Sequence, residues 1–138
     1  EKIVNVLDNL VLVLNKTEDK VLMCFRSKDP YKGLYNLLGG KIEPDENYLD
    51  SAYRELHEES GITKEDIILE PLIDFIWHPI HMEMKVYYGV LNNDVKLVDE
   101  VHKLFWIDIT ENFFDLHKFA GEGNIGHMIK LYQDWKES

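Results

Sequence analysis

Short stretches in which apolar residues alternate with polar ones, or run together through β-branched residues, are interspersed along this chain with two stretches whose apolar residues recur every three or four positions. The first pattern marks strands and the second marks helices. Residues 3–14 carry the strand pattern, 16–20 form a polar turn, and 21–26 carry a second strand, so the two read as a hairpin. Residues 27–33, with Asp29-Pro30 and Gly33, read as a loop leading into a short strand at 35–38. Strand patterns over 67–77 and 82–91 are joined around Pro79, residues 92–94 make a turn, and 103–108 form a further strand. Thr110 is placed to cap a short helix through Leu116, and apolar residues at 125, 128, 129 and 132 put a helical stripe on 125–135.

The strongest helix signal lies between Asn47 and Gly61. Pro44 and Asp45 mark a turn, Asn47 can cap, and Asp50 offers a weak version of the reciprocal capping box. Gly61 fits the position just past the end, where a left-handed backbone favours glycine. Leu49, Ala52, Tyr53 and Leu56 make one apolar stripe. Glu55, Glu58 and Glu59 project about a third of a turn away, at about 100° per residue. These carboxylates crowd the last turns, where the helix dipole disfavours anions, and Glu55 and Glu59 are like charges at i,i+4, costing roughly 0.2–0.5 kcal/mol. A divalent cation reverses the sign of each effect, and hard oxygen donors without Cys or His favour Mg2+ or Mn2+ over zinc. The bland alternative is a solvated acidic face. Arg54 can reach Glu58 or Glu46 and orient it through a forked hydrogen bond, the alternative being an ordinary surface ion pair.

The segment GKIEPDENYLDSAYRELHEESGI, residues 40–62, holds Gly40, Glu46, Arg54, Glu55, Glu58, Glu59 and Gly61 at fixed spacing, with apolar Leu56 and Ile62. It resembles the signature of the Nudix hydrolases at every defining position. The resemblance implies an α/β fold, an α/β/α sandwich around a mixed sheet, and a Mg2+-dependent enzyme (Mn2+ a possible substitute) that cuts a diphosphate linkage attached to a nucleoside. It further implies that Glu55, Glu58 and Glu59 hold the metal, that the Gly40 carbonyl can be an additional ligand, and that Arg54 orients the cluster. The base that takes a proton from water would be Glu59, with Glu100 as second choice and further metal ligand and Asp99 able to serve instead; the alternative for both is a solvated loop.

Residues 33–41, GLYNLLGGK, resemble the corresponding segment of 8-oxo-dGTP diphosphatases in the MutT-related group, which implies that Asn36 reads a purine edge. Tyr35 stands where tryptophan is common there, and Leu37 where glycine is. By the same resemblance Arg26 can meet phosphates, Phe119 can stack on a base and Glu122 can accept hydrogen bonds from it. The leading expectation is hydrolysis of an oxidised purine nucleotide such as 8-oxo-dGTP to the monophosphate plus pyrophosphate. Alternatives are ADP-ribose, dinucleoside polyphosphates, nucleotide sugars or capped RNA, and outside catalysis a nucleotide-sensing domain or a Ca2+-binding module.

Length suits one domain spanning 1–138. A formal net charge of −11 argues against DNA, RNA or an anionic membrane as partner, while a free nucleotide remains admissible once cations neutralise its phosphates. Cys24 is the only cysteine, excluding an internal disulfide and a cysteine-rich zinc site, and no apolar run is long enough to cross a bilayer, so the chain reads as cytoplasmic. All six histidines read as structural or surface residues, and Trp77 as a pocket wall. Monomer and homodimer stay equally open.

Overall fold

A computed structural model describes residues 6–138, so residues 3–5 of the expected first strand lie outside the described part. The elements are β1 (Val6–Leu14), β2 (Lys20–Phe25), β3 (Tyr35–Asn36), β4 (Leu38–Lys41), α1 (Tyr48–Ser60), β5 (Glu70–Trp77), β6 (Met82–Val90), β7 (Lys103–Asp108) and α2 (Asn124–Glu137). They form one seven-stranded mixed sheet with a helix on each face.

Strand β1 is the axis of that sheet. One edge runs parallel to β6 from the pair Val6/Met82 to the pair Leu14/Val90. Its other edge is divided: β4 pairs antiparallel along Asp8–Val11, and β2 meets β1 only at Leu14/Val21. The expected hairpin therefore exists only at its base. Beyond it β2 turns away to pair with β7 along its whole length and with β3 at Cys24 and Phe25. The wedge left between β1 and β2 is crossed by the chain passing from β3 to β4.

Strand periodicity builds the two layers. Alternate residues of a strand face opposite sides, so Val11 and Val13 join Leu22, Cys24, Ala52 and Leu56 under α1, while Leu12 and Leu14 join Val21, Met23, Ile125 and Met128 under α2. Fully burying each such side chain is worth about 1.5–3 kcal/mol. The result is the α/β/α sandwich that the resemblance implies.

Two expectations shift. Ile67 pairs with Leu91 only as an isolated bridge, and β5 proper starts at Glu70. No helix starts at Thr110: its backbone N–H and hydroxyl both bond back to Asp108 Oδ1, at 2.9 and 2.7 Å, and the following turn is held instead by Asn112, whose Oδ1 accepts from Phe114 N–H at 3.1 Å. Residues 109–118 instead wind through turns that bury Phe113. Among the described residues no helix is long and apolar enough to cross a membrane.

Candidate functional site

Helix α1 has the boundaries its sequence predicts. Asn47 Oδ1 accepts from Leu49 N–H at 3.0 Å and Asp50 N–H at 3.2 Å. Gly61, at φ 79°, closes the other end by donating to the His57 carbonyl at 2.8 Å. Asp50 does not return a capping bond; its carboxylate faces Lys64 at 3.5 Å. The helix is set against the sheet by Asn9, buried at 1% exposure. Its Nδ2 donates to Ser51 Oγ at 2.9 Å and its Oδ1 accepts from Gly40 N–H at 3.1 Å, so one amide ties β1, β4 and α1 together. Sequence reasoning passed over Asn9, although a lone amide within an apolar strand run signals a buried polar group that must find partners.

Every N–H of the Arg54 guanidinium has an acceptor. Nε and one Nη pair with the two Glu46 oxygens at 2.5 and 2.9 Å, and that same Nη reaches the Lys41 carbonyl at 3.2 Å. The other Nη meets Glu55 at 3.0 Å and Glu58 at 3.2 Å. Glu46 first, and then Glu55, raise the Arg54 pKa, and the arginine lowers that of Glu46. Arg54 thus takes both of the predicted partners and adds Glu55.

Glu59 has no such counter-ion. It is 6% exposed and accepts only a 3.3 Å bond from Gly39 N–H. Burial, then the charge of Glu55 and a hydrogen bond with it, push its carboxyl up to about 8. Two glycines make this closeness possible. A Cβ on Gly39, at φ 151°, would lie 2.1 Å from the Asn9 carbonyl oxygen, and one on Gly40 would lie 2.6 Å from Glu55 Cδ. Glu58 is turned toward Arg54 and stays half-exposed. Consequently, among the described residues no three acidic, Cys or His side chains already converge as a metal-binding group. Buried Glu59 and its neighbour Glu55 nevertheless fit a divalent cation, since both supply hard oxygens and Glu59 holds a proton at neutral pH without it.

A cavity of about 170 Å³ opens at the wedge between β1 and β2, and it brings together Arg26, Asn36, Gly40 and Glu59. Arg26 is steadied by its Nε bond to the Pro30 carbonyl at 3.1 Å. Asn36 spends its Oδ1 on the N–H of Leu37 at 2.8 Å, leaving its amide nitrogen for a ligand. Two residues not singled out beforehand also line the cavity: Asp8, whose carboxyl burial raises, and His102, read from sequence as structural or surface. Glu100 lies two residues before His102, exposed, with no hydrogen bond or ion pair among the described residues.

Phe119 is not available to stack on a base. It is 2% exposed, with its ring 5.0 Å from that of Phe113 and 6.2 Å from that of Tyr35, and its backbone bridges Tyr35. Glu122 is exposed and accepts from the Tyr31 hydroxyl, beside a second cavity also lined by Trp77.

Among solved structures, a MutT/nudix family protein from Enterococcus faecalis superposes with a TM-score of 0.65 at 24% identity over 78% of this chain, which spans 45% of that protein. The NUDIX domain of Shewanella oneidensis NrtR, solved with ADP ribose, gives 0.75 at 17% identity, covering 96% of this chain and 89% of that one. An Ap4A hydrolase from C. elegans gives 0.74 at 18% identity, with 96% and 98% covered. At these identities the likeness establishes the fold. The NUDIX domain family model matches residues 7–129, and the chain belongs to the Nudix family, whose hydrolases cleave phosphoanhydrides and generally use divalent metal ions.

Proposed function

We propose that this chain is a Mg2+-dependent nucleoside triphosphate diphosphohydrolase of the cytoplasm, acting on oxidised purine nucleotides such as 8-oxo-dGTP and releasing the monophosphate and pyrophosphate. The observation that supports it best is buried Glu59, without a counter-ion of its own and beside Glu55 beneath Gly39 and Gly40, on the wall of a cavity that Arg26 also lines. Glu55, Glu58, Glu59 and the Gly40 carbonyl would hold Mg2+, which when bound neutralises phosphate charge and acidifies a water. Arg26 would bind phosphate oxygens. Glu59, once ionised, would accept a proton from water, a role that its burial beside the cavity favours over exposed Glu100. Arg54 holds Glu46, Glu55 and Glu58 in place. ADP-ribose or a dinucleoside polyphosphate is the second reading, supported by fold likeness to the ADP ribose-bound NUDIX domain and the Ap4A hydrolase.

The test is incubation with Mg2+ and a panel of 8-oxo-dGTP, ordinary triphosphates, ADP-ribose and a dinucleoside polyphosphate, with products resolved by chromatography. Preferential conversion of 8-oxo-dGTP is expected. Glu58→Gln should fold normally and lower kcat by about a hundredfold or more. Near-wild-type turnover by that variant would refute the site, and hydrolysis confined to another panel member would replace the substrate.

A further inference from the structure

Asn9 lines the cavity of about 170 Å³ together with Gly39, Gly40 and Glu59, yet its side chain is spent on protein partners. Three hydrogen bonds form a one-way chain from β4 to α1. Gly40 N–H donates to Asn9 Oδ1 at 3.1 Å, Asn9 Nδ2 donates to Ser51 Oγ at 2.9 Å, and the Ser51 hydroxyl donates to the Tyr48 carbonyl at 2.6 Å. The hydroxyl proton is committed to Tyr48, so the Ser51 oxygen is left to accept and the amide has one orientation. Ser51 is fully buried, and among the described residues no buried side-chain nitrogen or oxygen lacks a partner.

Ser51 is placed where it governs the carboxylates. Ser51, Glu55 and Glu59 fall at i, i+4 and i+8 on α1 and form one row along its face, in steps of about 6 Å. Ala52 and Leu56 press the helix onto the sheet, but apolar burial has no direction and does not fix a helix along its own axis. The Asn9–Ser51 bond does. Its far end is equally specific: a Cβ on Gly39 would come within 2.1 Å of the Asn9 carbonyl oxygen, and Gly39 N–H is the donor to Glu59. Gly40, held by the Asn9 side chain, lies against the Glu55 carboxylate. One residue therefore meets both glycines on which the two carboxylates rest.

We infer that Asn9 is a positioning residue of the metal site and Ser51 its counterpart on α1: together they set the register of the row Ser51–Glu55–Glu59 over Gly39–Gly40, and with it the affinity for a divalent cation. The inference rests on the reading of Glu55 and Glu59 as metal-holding carboxylates. Neither Asn9 nor Ser51 is a ligand of the ion. Mg2+ demands near-octahedral geometry with oxygens at about 2.0–2.1 Å, so a small displacement of the carboxylates against β4 weakens its binding. Phosphate binding by Arg26, on the cavity wall formed by β2, is left as it was.

The experiment is Mn2+ binding to nucleotide-free protein, followed by electron paramagnetic resonance of the free ion, in Asn9→Leu, Ser51→Ala and the double variant. The binding counted is that lost in Glu59→Gln. Each single variant should weaken Mn2+ by about tenfold or more. The double variant should be no weaker than the worse single one, because the two residues act through one bond. Urea denaturation with chelator present separates this role from a purely structural one. Ser51→Ala strands the buried Asn9 amide, and adding Asn9→Leu removes the stranded group, so stability should recover from that of Ser51→Ala while Mn2+ affinity stays low. In turnover, the metal concentration for half-maximal rate should rise with the Mn2+ dissociation constant, and KM for the nucleotide at saturating metal should stay within about twofold. Mn2+ affinity within about twofold of wild type in Ser51→Ala, single losses that add in the double variant, or affinity that returns together with stability would each overturn the role. Should Asn9→Leu not fold, the Ser51→Ala titration decides it alone. Weakened Mn2+ binding in the variants of a protein that hydrolyses no nucleotide would refute the proposed activity and leave the role of Asn9 standing. Nucleotide turnover with Mn2+ affinity unchanged in both single variants would do the reverse.

Discussion

Replacing Glu59 with glutamine should stabilise the metal-free protein, and increasingly so as pH rises. The side chain keeps its shape and its neighbours but can no longer ionise. In the folded chain the Glu59 carboxyl titrates at about 8, against an ordinary value of 4.5. The folded state therefore retains a proton that the unfolded state has released, so this group's contribution is intact below pH 4.5 and is lost as pH rises through 8. By pH 7 the linkage amounts to roughly 3 kcal/mol, at about 1.36 kcal/mol per pKa unit. Urea denaturation with chelator present, at half-unit steps from pH 5 to 8.5, measures it. The wild type should lose stability steadily relative to Glu59→Gln, and added Mg2+ should restore the wild type much more than the variant. Curves that run parallel across the range would refute the claim that the Glu59 carboxyl is buried without a counter-ion.

Gly39→Ala should cost about 3 kcal/mol or more in urea denaturation, because its Cβ would meet backbone at 2.1 Å and β4 would have to part from β1. Gly40→Ala meets the far end of the Glu55 side chain and not backbone, so a stability loss under about 1 kcal/mol with a large fall in kcat is expected; the opposite split would remove Glu55 from the site. Phe119→Ala should cost about 3–5 kcal/mol with KM unchanged in the fraction that stays folded, whereas a raised KM at full stability would return Phe119 to base stacking.

The parts legible in the sequence are those that local chemistry decides. The cap at Asn47, the stripe through Leu56 and the left-handed Gly61 fix α1 without reference to the rest of the chain, and the span of β7 follows from its strand pattern. Arg54 found Glu46 and Glu58 because both are within reach along one helix and its preceding loop. What failed depended on distant partners. Nothing near Leu14 announces that β1 will leave β2 for β4, since β7, some eighty residues on, claims β2. Thr110 was a fair cap by type, but Asp108 competes for its hydroxyl. Phe119 resembled a stacking aromatic until Tyr35 and Phe113 enclosed it, and His102 reaches the cavity where Glu100 was expected.

Arg54 gives every N–H to an acceptor on the protein itself. Small metallodomains whose ligands repel one another without the ion fold only as they bind it, so that folding and loading are a single event. Here an internal cation already holds Glu46, Glu55 and Glu58, and only Glu59 is left outside its reach. The protein can be assembled first and charged later, and the metal then arrives as a replacement counter-ion for a ready-made scaffold, its occupancy free to follow the supply of ions around it.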